Sequence, residues 1–213
     1  MKPKNRLWTQ KNRIKALLLV GPTGAGKTPL GRVLEERGFQ GFRVHHFDFG
    51  EELRKIASNQ TKVNQEVVEL VKSILAEGRL LTPEEYFIFL ETLDEFVGRK
   101  VYKEDEFIVL NGFPRDLKQA EFIEGYLDIV CVINLSVTFE VLYYRLKHDT
   151  AGDRKGRTDD TPQLVAKKLA WFFERNIPLV EYYKRKGAKV LEVVVDKEDT
   201  GETLYQKLLS LLK

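Results

Sequence analysis

The chain has 213 residues, and its 35 Lys and Arg against 32 Asp and Glu leave a net charge of +3. That length allows one large domain whose core hides roughly 70 % of the extended-chain surface. The 43 % hydrophobic and 31 % charged content excludes a disordered chain, and a single cysteine excludes a disulfide framework.

No apolar run is long enough to span a bilayer, and no segment has the pattern of a signal peptide, so a cytoplasmic protein is expected. The N-terminal stretch carries Lys2, Lys4, Arg6, Lys11, Arg13 and Lys15 without an acidic residue. No aromatic-interleaved basic surface follows it, so it reads as a solvated lead-in rather than a nucleic-acid arm.

Apolar, β-branched runs at residues 16–20, 107–110, 129–135 and 190–195 predict strands, with a weaker fifth at 42–47. Three are nearly continuous, as in strands buried on both faces of a parallel sheet. Helical patterns lie between them at 30–37, 63–77, 84–97, 118–126, 139–147, 163–175 and 203–212. Thr82-Pro83-Glu84-Glu85 and Thr161-Pro162 read as helix starts. Residues 50–98 hold helical segments and no strand, which predicts a helical insertion. Residues 149–160 are polar, with Gly152 and Gly156, and read as a loop. The alternation implies an α/β fold, a five-stranded parallel sheet with helices on both faces.

Gly21-Pro22-Thr23-Gly24-Ala25-Gly26-Lys27-Thr28 fits G-x-x-x-x-G-K-[ST] between a predicted strand and a predicted helix, the context a P-loop requires. Such a loop curls so that successive N–H groups, Gly24, Ala25 and Gly26 among them, point at phosphate. Lys27 then reaches the β- and γ-phosphates and the Thr28 hydroxyl serves Mg²⁺. Pro29 has no N–H where the loop usually offers one to the α-phosphate, so one phosphate hydrogen bond is expected to be missing.

Further strings follow in order: Gly50-Glu51-Glu52-Leu53-Arg54, Gly78-Arg79-Leu80-Leu81, Asn111-Gly112-Phe113-Pro114-Arg115 with Gln119 beyond, Arg157-Thr158-Asp159-Asp160, and Pro178-Leu179-Val180-Glu181-Tyr182-Tyr183. With the P-loop they resemble the adenylate kinase family over almost the whole chain. The resemblance implies a single P-loop kinase domain over 1–213, a monophosphate-binding insertion at 50–98 and a short lid at 148–160. It implies transfer of the γ-phosphoryl of ATP to AMP with Mg²⁺ in a monomer, with membrane and nucleic acid as no part of the task. Arg54 and Arg115 would grip the acceptor phosphate, with Gly112 beside them, while Gln119 meets an adenine edge and Leu81 lines the base. Lys27, Arg115, Arg157 and Lys168 would stabilise the transferring group, and Arg145 would lie against the donor ATP. One cysteine leaves no zinc site in the lid.

Departures from the family pattern are Asn111 in place of an Asp that serves the magnesium shell, which leaves that shell to phosphate, Thr28 and Glu51. Asp149 stands where a second lid arginine is usual, with Arg154 near it. Lys168 replaces an arginine, and Phe49 a small hydroxyl residue. Two alternatives stay open: a kinase of a small hydroxyl metabolite using Asp48 as base, and a non-catalytic nucleotide sensor. His45 and His46, adjacent on a strand, point to opposite faces and share no metal. His148 reads as a surface residue, Cys131 as core, and Trp171, Phe172 and Phe173 as helix-packing groups.

Overall fold

The computed structural model describes residues 13–61, 63–100, 103, 105–150, 152 and 161–213, without the side chains of 175–177. Its strands are β1 (Ile14–Val20), β2 (Val44–Asp48), β3 (Phe107–Asn111), β4 (Leu127–Ser136) and β5 (Lys189–Val194). They form one sheet in the order β2-β3-β1-β4-β5, and every neighbouring pair is parallel. In central β1, Ile14, Ala16, Leu18 and Val20 face one core while Leu17 and Leu19 face the other. Apolar packing on both faces is why this strand reads as an unbroken hydrophobic run.

One face is covered by α1 (Lys27–Arg37) and α9 (Gly201–Ser210), through Leu30, Leu34, Leu204 and Leu208. On the other lie α2 (Phe49–Ala57), α3 (Gln65–Glu77), α4 (Tyr86–Lys100), α5 (Leu117–Ile123) and α8 (Ile177–Arg185). Leu53, Val71, Phe89, Ala120 and Leu179 carry that contact. Two further helices are α6 (Phe139–His148) and α7 (Pro162–Trp171). No helix among the described residues is long and apolar enough to cross a membrane.

Side-chain caps set several helix starts. Asn64 accepts from the Val67 N–H at 2.8 Å ahead of α3, and Asp116 from Gln119 N–H at 2.8 Å ahead of α5. Glu85 reaches back to the Thr82 N–H at 2.8 Å at the turn before α4. An aromatic cluster then fixes α4 to the sheet end. Phe89 stacks on Phe113 with centroids 4.1 Å apart, and Phe49 meets Phe113 edge-on at 5.4 Å. Each such pair adds about 0.5–1.5 kcal/mol beyond burial, and the cluster holds the backbone that carries Arg115.

Some boundaries differ from expectation. α1 already begins at Lys27, because Gly26 at φ 101° turns the loop directly into helix. α5 ends at Ile123 and β4 starts at Leu127, earlier than the sequence pattern suggests. The expected helix at 163–175 is α-helical only to Trp171; a π-helical turn, Phe172–Asn176, leads straight into α8. Pro178 disguises α8 in the sequence, since a proline normally marks a break and a widened turn ahead of it relieves the clash. His45 turns to Glu106 at 2.7 Å, while His46 packs on the opposite face against Gly31. Cys131 is buried, and burial pushes its thiol up to about 11.

Candidate active site

The cleft opens at the C-terminal ends of β1, β2 and β3, the edge at which parallel α/β sheets take ligands. After Val20 the chain loops through residues 21–26 into α1. Gly24 and Gly26 have φ of 87° and 101°, a region glycine enters without strain. A Cβ on Gly24 would also fall 2.6 Å from the Leu146 side chain. Gly24, Gly26, Lys27 and Thr28 line the cleft, while Ala25 is buried within the loop. The Lys27 ammonium donates to the carbonyl oxygens of Gly21 at 2.7 Å and Pro22 at 2.8 Å. Its charge is thereby held along the curl of the loop.

Behind Thr28 lies a buried polar triad. The Thr28 hydroxyl donates to Asp48 Oδ2 at 2.7 Å, and the Asn111 amide donates to the same oxygen at 2.7 Å and to Thr28 Oγ1 at 3.0 Å. Asp48 Oδ1 accepts the Glu51 N–H at 3.0 Å and so caps α2. Burial opposes ionisation of Asp48, but His46, the Thr28 hydroxyl, the Glu51 amide and Arg54 outweigh it and hold the carboxyl below its ordinary range. Glu51, expected to lend charge to a magnesium shell, instead pairs with Lys55 at 3.1 Å on the outer side of α2. Hydroxyl and carboxylate oxygens suit a hard divalent cation, and among the described residues no cluster of three His, Cys, Asp or Glu forms a cage. This donor set fits magnesium held largely by nucleotide oxygens and water.

Opposite the loop, Arg54 from α2 and Arg115 after β3 converge on the same cleft. Two glycines make room for them. A Cβ on Gly50 would lie 3.4 Å from Arg54 Nη1, and one on Gly112 3.3 Å from Arg115 Nη2. Arg115 Nε donates to the Gly112 carbonyl at 2.8 Å, which fixes the guanidinium plane. The Arg115 backbone N–H donates to Gln119 Oε1 at 2.8 Å, fixing the buried glutamine amide. Leu81, Leu53, Ile74, Leu75 and the Phe49 ring supply the apolar wall. Phe49 is buried, its ring also meeting Phe89 at 5.5 Å.

Arg145 lies behind the cradle rather than in the cleft, only 2 % exposed. Its Nε donates to the Gly24 carbonyl at 3.1 Å and its Nη1 to the carbonyls of Asp196 (2.9 Å), Lys197 (3.2 Å) and Asp199 (2.8 Å). It therefore staples the loop to the turn ahead of α9. Trp171 and Phe172 are not core groups alone, since both line the cleft beside Lys168, and Phe173 is exposed. Lys167 Nζ sits 4.9 Å over the Trp171 ring and donates to the Glu77 carbonyl at 2.6 Å, which leans α7 on the end of α3. Asp149 ends α6 at φ 46°. Arg154 and Arg157, with most of the 148–160 segment, lie outside the described residues.

Ten of the residues to which the P-loop motif or the family resemblance gives a binding or catalytic role share one cleft: Gly24, Gly26, Lys27, Thr28, Arg54, Leu81, Gly112, Arg115, Gln119 and Lys168. Asp48, the base of the alternative hydroxyl-kinase reading, here partners the Thr28 hydroxyl, because Asp48 and Asn111 are the paired ends of neighbouring strands.

A family model described as adenylate kinase matches residues 19–188. An adenylate kinase of Cyanothece sp. (strain PCC 7425) is 32 % identical over 177 residues, 80 % of this chain and 82 % of the relative. One of Phocaeicola vulgatus is 30 % identical over 179 residues, 80 % of this chain and 85 % of the relative. Among solved structures, a gluconokinase from Sinorhizobium meliloti 1021 matches with TM-score 0.52 at 17 % identity, covering 94 % of this chain and 91 % of that one. A sugar kinase from Janibacter sp. HTCC2649 matches with TM-score 0.53 at 16 % identity, covering 93 % and 94 %. At such identities the likeness shows a shared fold.

Proposed function

The chain belongs to the adenylate kinase family and is a phosphotransferase, and we propose that it moves the γ-phosphoryl group of ATP to a nucleoside monophosphate, AMP before others. The observation that carries this reading is the placing of Arg54 and Arg115 across one cleft from the Lys27 loop. An ionised monophosphate is already a nucleophile at pH 7, so the task is to align two polyanions and neutralise them. Guanidinium forks match phosphate oxygens bidentately, and Arg115 is pre-oriented for that by the Gly112 carbonyl. Lys27 would leave the loop carbonyls for the β- and γ-phosphates, with Arg157 and Lys168 closing on the transferring group. Magnesium, held beside Thr28 mainly through phosphate oxygens, would supply charge neutralisation on the donor.

AMP is favoured by the Gln119 amide. Its Oε1 is taken by the Arg115 N–H, which leaves the Nε2 hydrogens to meet the base. A donor there suits adenine N1 and opposes the N1–H of guanine. A hydroxyl-metabolite kinase with Asp48 as base is less well supported, because Asp48 Oδ2 already accepts from Thr28 and Asn111. The test is ADP formation from ATP with AMP, CMP, UMP or GMP and magnesium. AMP should give the highest kcat/KM, and Arg115→Ala should abolish turnover with ATP binding kept. Tight binding of ATP and AMP without any ADP formed would overturn the reading in favour of a sensor.

A further inference from the structure

Magnesium bound with a nucleotide usually keeps several waters and takes one or two carboxylates beside the phosphate oxygens, so a cation near the Thr28 hydroxyl would draw on a carboxylate within reach of its water shell. Asn111, at the end of β3, offers a neutral amide. Glu51 is turned outward to Lys55. Asp48, at the end of β2, is buried and has Oδ2 2.7 Å from the Thr28 hydroxyl. Capping α2 does not explain a charge at this position: Oδ1 alone does the capping, and an asparagine caps as well. A buried carboxylate is costly unless it is paired and hydrogen-bonded, and here the Thr28 hydroxyl, the Glu51 N–H and the Asn111 amide sustain the charge, with Asn111 donating both to Oδ2 at 2.7 Å and to Thr28 Oγ1 at 3.0 Å.

We propose that Asp48 supplies the anionic charge of the magnesium shell in this protein, with Asn111 as the positioning residue that holds its Oδ2 beside Thr28. The carboxylate of the cation site therefore comes from β2, and β3 contributes the neutral half of the pair. The inference rests on the proposed reading only in that the loop takes a magnesium nucleotide; which acceptor sits opposite does not enter.

The experiment is Mn²⁺ binding, followed by electron paramagnetic resonance, to the full chain saturated with β,γ-methylene ATP and no acceptor. Asp48→Asn keeps the cap and should weaken Mn²⁺ binding by about tenfold or more, with affinity for the analogue in EDTA nearly unchanged. The exchange Asp48→Asn with Asn111→Asp keeps one carboxylate and one amide, donor and acceptor swapped, and should restore Mn²⁺ binding. Wild-type Mn²⁺ affinity in Asp48→Asn would overturn the proposal. So would a folded double variant, checked by thermal melting, that fails to recover. Because no acceptor is present, failure to phosphorylate AMP leaves this result standing on its own.

Discussion

The backbone N–H of Arg115 donates to the side-chain oxygen of Gln119 at 2.8 Å, so the residue proposed to grip phosphate also orients the one proposed to read the base. Asp116, between them, caps the same helix through the Gln119 N–H. One short turn thereby fixes two recognition groups. Gln119→Glu keeps an oxygen for Arg115 but replaces the amide donor with an acceptor. Loss of one neutral hydrogen bond of about 0.5–1.5 kcal/mol corresponds to a KM for AMP raised roughly two- to tenfold. The KM for GMP should rise far less, because guanine brings its own donors. Steady-state kinetics with both monophosphates check this, and an unchanged preference would remove Gln119 from base selection.

Arg145 is predicted to matter for stability before affinity. Arg145→Ala leaves the buried Asp199 carbonyl and the part-buried carbonyls of Gly24, Asp196 and Lys197 without this donor. A loss of about 1–3 kcal/mol is expected, as for leaving a buried acceptor unsatisfied. Arg145→Lys should recover only part of it, since an ammonium lacks the planar fork. Urea unfolding without nucleotide measures this. A variant of wild-type stability that no longer binds ATP would put the guanidinium on the ligand instead.

The parallel strands were legible because burial on both faces leaves runs such as Leu17-Leu18-Leu19 with no polar interruption, and the loop because its glycines and Lys27 are close in sequence. Arg54, Arg115 and Gln119 were legible through short strings that each sit at a strand end. Arg145 was not, because its partners are backbone carbonyls that no side-chain pattern reports. The Asp48–Asn111 pair joins residues 63 positions apart, and only strand order puts them side by side. α8 was hidden by Pro178, whose usual meaning the π-helical turn reverses.

Gly31 offers a test of packing where two effects oppose. In an exposed helix, glycine to alanine gains about 1 kcal/mol. Here a Cβ would lie 2.3 Å from Nε2 of His46, a buried ring. Overpacking of this kind costs about 1–3 kcal/mol, so Gly31→Ala should be destabilising. In a His46→Ala background the same change should become neutral or stabilising. Chemical denaturation of the four proteins gives the coupling, and additive effects would show that the ring yields freely.

Asp199 should make stability fall in acid. Burial opposes its ionisation, but the Asp196 N–H, Lys207 and the Thr203 hydroxyl outweigh that and hold its carboxyl below the ordinary value of 3.8. A carboxyl depressed in the folded state stabilises above its unfolded value, and that contribution disappears as pH falls through the folded one. Asp199→Asn should therefore be less stable than wild type at pH 6, with the gap closing below pH 3.8. A gap that stays constant across the range would assign the effect to shape rather than charge.

Pro29 tests the donor side. It is the third residue of α1, where helix N–H groups have no intrahelical acceptor, so the helix loses nothing by it. The next N–H, of Leu30, is already committed to the Gly26 carbonyl at 3.0 Å. A phosphate in the cradle consequently meets one donor fewer at this position. Pro29→Ala restores that donor and keeps the Cβ that faces Gly201 at close range. A charge-assisted hydrogen bond of about 1.5–3 kcal/mol predicts ATP bound about tenfold or more tightly. Calorimetric titration of the magnesium-free nucleotide isolates this contact from the cation, and an unchanged affinity would mean that the amide at this position points away from the phosphates.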